Sequence, residues 1–210
     1  MVADDQGRRH QGGIAPAAPG IVPLAVPAPI VTERLRVRPV EEADLPALMA
    51  VNGDEAVTRF LPYATWKSPD DAAAWFGRMR GIQATGAALQ FVVAERATDV
   101  PVGTCLLFRF DEPSARAELG YVLARAHWGR GYMREALGAL VACAFGELGL
   151  RRLEAEVDPR NGPSGRALLA LGFAKEGRLR ERWITKGVPT DVDAYGLLAR
   201  EWAGTGPKRS

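Results

Sequence analysis

One stretch of the chain, residues 118–148, joins a strand pattern to a helix pattern through a glycine-bearing loop. Residues 118–123 have the β-branched and aromatic content of a buried strand. From Met133 to Leu148, apolar residues recur at helical spacing. The period changes across residues 124–131, so this stretch is predicted to fold as a strand that turns directly into a helix.

The loop between the two patterns contains Gly129 and Gly131. Glycines let the backbone approach a ligand without interference from a Cβ atom. The N–H groups that open the following helix are unpaired and attract anions, and Arg125, Arg130 and Arg134 add positive charge. We therefore expect a phosphate-bearing ligand here, with a plain tight connection as the alternative.

Two nucleotide-binding motifs are excluded by inspection. The dinucleotide fingerprint requires a small residue where Arg134 stands, and the P-loop requires a Gly-Lys-Ser/Thr sequence that this loop lacks. A short loop that binds pyrophosphate is what the pattern still allows.

The segment from His127 to Leu137, His-Trp-Gly-Arg-Gly-Tyr-Met-Arg-Glu-Ala-Leu, resembles the acyl-CoA pyrophosphate loop of the GNAT superfamily of N-acetyltransferases. It is most similar to the RimJ/RimL-like branch, the ribosomal-protein N-terminal acetyltransferases. Ala126 departs from the superfamily pattern, which has Gln or Arg there, but the main donors of such a loop are backbone N–H groups. Three other stretches fit the same branch, in the right order: Thr32–Pro39, Asn161–Phe173 and Asp191–Trp202.

The chain-wide pattern and the resemblance together predict an α/β (α+β) fold. Its central sheet is mixed and mainly antiparallel, with six to seven strands and helices on both faces. A single acetyltransferase domain is expected at residues 31–203. A Gly/Ala/Pro-rich extension at residues 1–30 precedes it, and a tail at residues 204–210 follows.

Composition restricts the function classes. Hydrophobic residues make up 47% and charged residues 25%, with a formal net charge of +2, which is typical of a soluble globular protein and argues against nucleic-acid binding. No apolar run approaches the roughly 18 to 20 residues that span a bilayer. Cys105 and Cys143 lie in apolar segments, so we expect reduced core thiols and a cytoplasmic location, with no membrane and no metal partner. A homodimer is left open.

The resemblance implies an acetyl-CoA-dependent N-acetyltransferase that acts on a primary amine by direct attack in a ternary complex. A non-catalytic acyl-CoA-binding or sensing module of the same fold is the alternative. The pantetheine arm would be bound by main-chain groups of three strand residues, Tyr121, Val122 and Leu123. The pyrophosphate would be bound by the loop residues His127, Trp128, Gly129, Arg130, Gly131, Tyr132 and Met133. Asn161 and Ser164 would lie beside the thioester.

Two side chains are candidates for catalysis. Glu118 is a candidate general base, with an ion pair to Arg109 or Arg116 as the alternative. Ser164 is a candidate proton donor to the coenzyme A sulfur, with a helix cap as the alternative. The tyrosine acid of many relatives is absent, because Leu168 stands at its position.

Other side chains near the predicted site have lesser roles. Glu181 and Asp191 are weaker candidates for the base. His127 is expected to contact or cover the coenzyme, and Trp128 and Trp183 are expected to be core or cleft-wall aromatics.

The expected chemistry favours one class of amine. A peptide α-amine with a pKa near 8 is about a tenth neutral at pH 7, whereas a lysine near 10.4 is neutral in less than roughly one part in a thousand. A site without a strong base therefore suits an α-amine better. Small amines of lowered pKa stay open.

Overall fold

A mixed sheet of eight strands forms the centre of the structure, a computed structural model that describes residues 27–204. The strand order is β1-β2-β3-β4-β5-β6-β8-β7, and only the β5–β6 pair is parallel. The strands are β1 (Ile30–Val31), β2 (Leu35–Pro39), β3 (Ala88–Glu95), β4 (Pro101–Asp111), β5 (Arg116–Leu123), β6 (Arg152–Val157), β7 (Ala174–Thr185) and β8 (Val188–Leu198).

The predicted fold class is confirmed, and the sheet has one strand more than the upper end of the predicted six to seven. The additional strand is β1, which pairs two residues with β2 and is too short to show an alternating pattern. The predicted extension (residues 1–30) and tail (residues 204–210) lie mostly outside the described residues.

Five helices cover the two faces of the sheet. They are α1 (Leu45–Asn52), α2 (Glu55–Thr58), α3 (Pro69–Ala84), α4 (Tyr132–Gly146) and α5 (Gly162–Ala170). On one face, Leu137 and Leu140 of α4 are fully buried against the sheet, next to Leu168 of α5. On the other, Leu48 of α1 and Trp75 of α3 pack on Val92. Burial of each large apolar side chain contributes about 1.5–3 kcal/mol, so these two layers fix the helices on the sheet.

The β5–β6 pair positions the predicted site. Their pairing joins Arg116–Glu118 to Arg152–Glu154 and stops there. Strand β5 continues to Leu123 and stays paired with β4, so its other edge is free of strand partners beyond Glu118. The two parallel strands therefore diverge at Glu118, and α4 forms the crossover that connects them.

Among the described residues, no helix has the length and apolarity needed to cross a membrane. Cys105 and Cys143 are both buried and free, as predicted.

Candidate active site

The divergence of β5 from β6 opens a cleft of about 590 Å³. Its walls come from β4, β5 and β6, from the segment that follows α2, and from the β7–β8 hairpin. Glu118, Tyr121, Asn161 and Ser164 all line this cleft. The structure thus brings together four side chains that are up to 46 residues apart in the sequence.

The glycine loop lies at the start of α4, and both of its glycines are in a left-handed conformation. Gly129 and Gly131 have φ of 71° and 78°, in the left-handed region that favours glycine. A Cβ atom at Gly129 would meet nothing within 4 Å, so the loop presents an open surface. Among the described residues, the N–H groups of residues 129–131 have no protein acceptor. The unpaired N–H groups, the positive end of the α4 dipole and the open space at Gly129 together suit a pyrophosphate.

The side chains of the loop point in different directions. Trp128 and Arg130 are exposed, whereas Tyr132 and Met133 are each 8% exposed and belong to the core. Tyr132 and Met133 can therefore offer a ligand mainly their backbone N–H groups, as the first residues of α4.

His127 lies on the inner side of the loop, away from the cleft lining. Its Nε2 is 3.4 Å from Glu95 Oε1, and its ring centroid is 5.2 Å from that of Tyr132. Its Nδ1 is buried and has no hydrogen-bond partner among the described residues. His127 therefore does not line the cleft, and its expected contact with the coenzyme stays a prediction.

The free edge of β5 carries the main-chain groups predicted to bind pantetheine. Tyr121 and Val122 lie beyond the last residue paired with β6. At Leu123 one group is already engaged, because Trp128 Nε1 donates to the Leu123 carbonyl at 2.8 Å. This bond ties the loop to the end of β5.

Glu118 is 8% exposed. Of the two ion pairs considered for it from the sequence, to Arg109 or to Arg116, the structure contains the pair with Arg109. Arg109 Nη1 donates to both of its carboxylate oxygens, at 2.7 and 3.0 Å. The alternative partner, Arg116, pairs instead with Asp111 and Glu154. Burial raises the pKa of Glu118 above its ordinary value, and the bonds from Arg109 oppose that rise.

Arg109 reaches the cleft because β4 is distorted. Consecutive strand residues normally face opposite sides of a sheet, yet Phe108 and Arg109 both line the cleft. The register of β4 and β5 shifts between Phe108 and Asp111, and Arg109 has φ of 51°. A bulge of this kind re-aims a side chain, here toward Glu118.

The structure corrects the proposed cap at Ser164. Asn161 is the N-cap of α5, its Oδ1 accepting from the Ser164 N–H at 3.4 Å, and Ser164 is the third helical residue. The Ser164 hydroxyl instead lies 2.6 Å from the Tyr121 hydroxyl. Burial raises the pKa of Tyr121 to about 12, so this phenol stays protonated at neutral pH.

The hydroxyl of Tyr121 was not expected in the site. From the sequence, only the main chain of Tyr121 was predicted to bind a ligand. The position at which many relatives have a tyrosine acid is occupied by Leu168, which is fully buried. Strand alternation places Tyr121 on the face opposite Glu118, the face of α5. That alternation was the available signal, but contact with Ser164 depends on where α5 begins.

The remaining candidates are placed as follows. Trp183 is a cleft-wall residue, 38% exposed, with the Arg109 guanidinium 4.7 Å from its ring. Glu181 and Asp191 are bonded to each other through the Glu181 N–H, outside the residues that line the cleft. Residues 27–204 contain no cluster of three or more His, Cys, Asp or Glu side chains able to hold a metal ion.

Comparison with known proteins gives a consistent family. Residues 34–174 match the family described as acetyltransferase (GNAT) domain. Uncharacterized N-acetyltransferase p20 of Bacillus licheniformis is 37% identical over 173 residues, which cover 82% of this chain and 97% of that relative.

Two solved structures share the fold. RimJ of Mycobacterium smegmatis, in complex with CoA-disulfide, matches with a TM-score of 0.74 and 22% identity over 83% of this chain and 87% of its own. Spermidine N-acetyltransferase of Vibrio cholerae, in complex with CoA and spermine, matches with a TM-score of 0.70 and 21% identity, over 81% of this chain and 98% of its own.

Proposed function

This chain belongs to the GNAT acetyltransferase family, and from that premise we propose that it transfers an acetyl group from acetyl-CoA to a primary amine. The observation that carries the proposal is the continuity of the free β5 edge with the glycine loop of α4. That edge offers main-chain groups to a pantetheine arm, and the loop offers unpaired N–H groups to a pyrophosphate. CoA bound to two proteins of the same fold supports this donor.

The donor supplies the acetyl group as a thioester, and residues of this chain would handle the protons. Glu118 would accept a proton from the attacking amine, directly or through water, because its carboxylate lines the cleft and its raised pKa makes it a better base than an exposed glutamate. Ser164, supported by the Tyr121 hydroxyl, would donate to the departing sulfur. An alkyl thiolate with a pKa near about 8.5 requires only a weak acid.

Direct transfer to the amine is favoured over a covalent acetyl-enzyme. Cys105 is fully buried, and burial raises the pKa of its thiol to about 12. Cys143 is 4% exposed, and its pKa is raised to about 11, mainly by burial. Thiols with so little thiolate are poor nucleophiles.

Among primary amines, we propose a peptide N-terminal α-amine as the acceptor. The cleft walls include Phe60, Tyr63 and Trp183, which suit a side chain beside the reactive amine. Arg109 bonds Glu118 through Nη1 alone, which leaves its other N–H groups to face a neighbouring carbonyl. An α-amine also needs a weaker base than a lysine or polyamine does.

The test is release of free coenzyme A thiol from acetyl-CoA in the presence of peptide N-termini, polyamines, aminoglycosides and amino acids. We expect steady, amine-dependent release that is fastest with peptides. Preference for another amine would overturn the acceptor assignment alone.

The same experiment decides between the enzyme and the non-catalytic module. The Arg109–Glu118 ion pair is what favours the module, since it occupies Glu118, the base candidate named from the sequence that lines the cleft. Calorimetric binding of acetyl-CoA without thiol release for any amine would establish the module and reject catalysis. Labelled acetyl-CoA should leave no acetyl group on the protein.

A further inference from the structure

The Thr32–Pro39 stretch matches the RimJ/RimL-like branch, yet none of its residues lines the cleft. Its first residues connect β1 to β2 and contact the start of α4, about a hundred residues later in the chain. This contact is directed at Glu135, in the first turn of α4. The motif therefore contacts α4 and the glycine loop outside the cleft.

Three donors of the β1–β2 connection converge on the Glu135 carboxylate. The Thr32 hydroxyl donates to Oε1 at 2.6 Å, the Arg34 backbone N–H donates to Oε1 at 2.8 Å, and Arg34 Nε donates to Oε2 at 2.7 Å. The Glu135 side chain is 17% exposed, and these bonds hold the pKa of its carboxyl below the usual value against the effect of burial. The carboxylate is thus ionised and fixed.

Arg34 also bonds the loop itself. Its Nη1 donates to the carbonyl of Arg130 at 2.9 Å, and its guanidinium lies 4.6 Å from the ring of Tyr132. The Arg130 carbonyl and the Gly131 N–H belong to one planar trans peptide, in which they point in opposite directions. A carbonyl held toward Arg34 therefore sends the Gly131 N–H to the opposite side of the loop, where it has no acceptor among the described residues.

The charge of Glu135 gives the contact a second purpose. A carboxylate one turn into α4 would repel an anion bound at the helix N-terminus, and this repulsion is stronger where water is excluded. Arg34 neutralises that charge while leaving the helix dipole directed at the anion. Glu135 can therefore hold the β1–β2 connection against α4 without repelling a bound phosphate.

We infer that Thr32, Arg34 and Glu135 form a latch that holds the glycine loop in its phosphate-binding shape, so that the three are positioning residues for the donor. This inference rests on the proposed function, because the ligand of the loop is taken to be acetyl-CoA.

The chain offers a matched control for the arginine. Arg36 lies two residues along on β2, its side chain is 40% exposed like that of Arg34, and it pairs with Asp99 at 3.6 Å. Arg34→Gln and Arg36→Gln therefore remove the same charge from equally exposed positions. Only the first breaks contacts with α4 and the loop.

Calorimetry with coenzyme A measures the effect without any need for turnover. We expect Arg34→Gln and Glu135→Gln each to weaken binding by roughly tenfold, equivalent to about 1.4 kcal/mol, and Arg36→Gln to change it by less than about twofold. The double variant Arg34→Gln/Glu135→Gln should be no worse than the weaker-binding single variant, because the two residues act through one contact.

Steady-state kinetics separates positioning from general damage. With the latch variants, the KM for acetyl-CoA should rise while kcat at saturating donor and the KM for the amine stay at the parent values. Thr32→Val should show the same pattern more weakly, and Thr32→Ser, which keeps the hydroxyl, should restore parent behaviour.

Three results would overturn the latch. The first is an unchanged dissociation constant for coenzyme A in folded Arg34→Gln and Glu135→Gln. The second is an equal loss of affinity in Arg36→Gln, and the third is a fall in kcat that matches the loss of affinity, since either of these would indicate a merely structural role. A parent protein that does not bind coenzyme A would instead refute the proposed function, and the latch with it.

Discussion

Replacing Gly131 with alanine tests the phosphate-binding role of the loop most directly. Gly131 has φ of 78°, and an L-residue in this left-handed conformation costs about 1–2 kcal/mol. The added Cβ would meet only Arg34 Nη2, at 3.4 Å, which is ordinary contact distance. The protein itself therefore accommodates the methyl group at the cost of backbone strain alone.

The strain acts on the conformation that points N–H groups at the ligand. If the loop relaxes to relieve it, the affinity for acetyl-CoA should fall by more than about tenfold, or about 1.4 kcal/mol. Gly131→Val should lose at least as much, because a β-branched residue fits the left-handed region less well. Arg130→Ala should lose less, since an exposed charge is screened by salt and contributes about 1 kcal/mol or below.

Gly149→Ala is the matched control for Gly131→Ala. Gly149 follows α4, has φ of 65°, and a Cβ atom there would meet nothing within 4 Å. Both variants should lose a similar amount of stability in chemical denaturation, about 1–2 kcal/mol. Only Gly131→Ala should lose affinity in calorimetry with acetyl-CoA. Equal affinities of the two folded variants would refute the view that this loop is more than a connector.

Three further predictions concern the catalytic candidates. Glu118→Gln should lower kcat by about a hundredfold or more without changing the calorimetric affinity for acetyl-CoA, and parent-like turnover would exclude Glu118 as the base. Arg109→Gln should move the acidic limb of the kcat/KM pH profile to higher pH, because a base acts only when ionised and Arg109 opposes the raised pKa of Glu118; an unmoved limb would contradict the argument. Ser164→Ala should reduce kcat by about tenfold, as expected for loss of a weak acid, and adding Tyr121→Phe should cost little more if the two hydroxyls act as one donor, whereas additive losses in single-turnover assays would show that they act separately.

The glycine loop could be predicted because its signals are local. The change of hydrophobic period, the two glycines and the opening of α4 all fall within residues 118–148, and local patterns decide each of them. The strand β1 was missed because two residues cannot show a period.

The side-chain contacts of the cleft could not be predicted because they depend on distant pairing and on irregular strands. Regular alternation would keep Arg109 off the face of Glu118, and only the bulge in β4 and the positive φ of Arg109 bring it there. The Tyr121–Ser164 contact depends on where α5 begins. Because Asn161 is the N-cap and Gly162 the first helical residue, Ser164 falls in the first turn, where its hydroxyl reaches that of Tyr121. The sequence suggested Ser164 as the cap because serine is common at that position.

The site and the sheet share one structural cause. The parallel pairing of β5 with β6 ends at Glu118, so the residue that ends it is also the buried carboxylate of the cleft. Beyond it, the free main-chain edge of β5 leads to Leu123, whose carbonyl holds Trp128 of the loop. The candidate base Glu118, the free edge of β5 and the glycine loop therefore follow one another along the chain. A change in the position of one would move the others. Substitutions that extend β5–β6 pairing past Glu118 would close the free edge of β5 and bury the carboxylate together, so under the proposed function they should remove both acetyl-CoA binding and turnover.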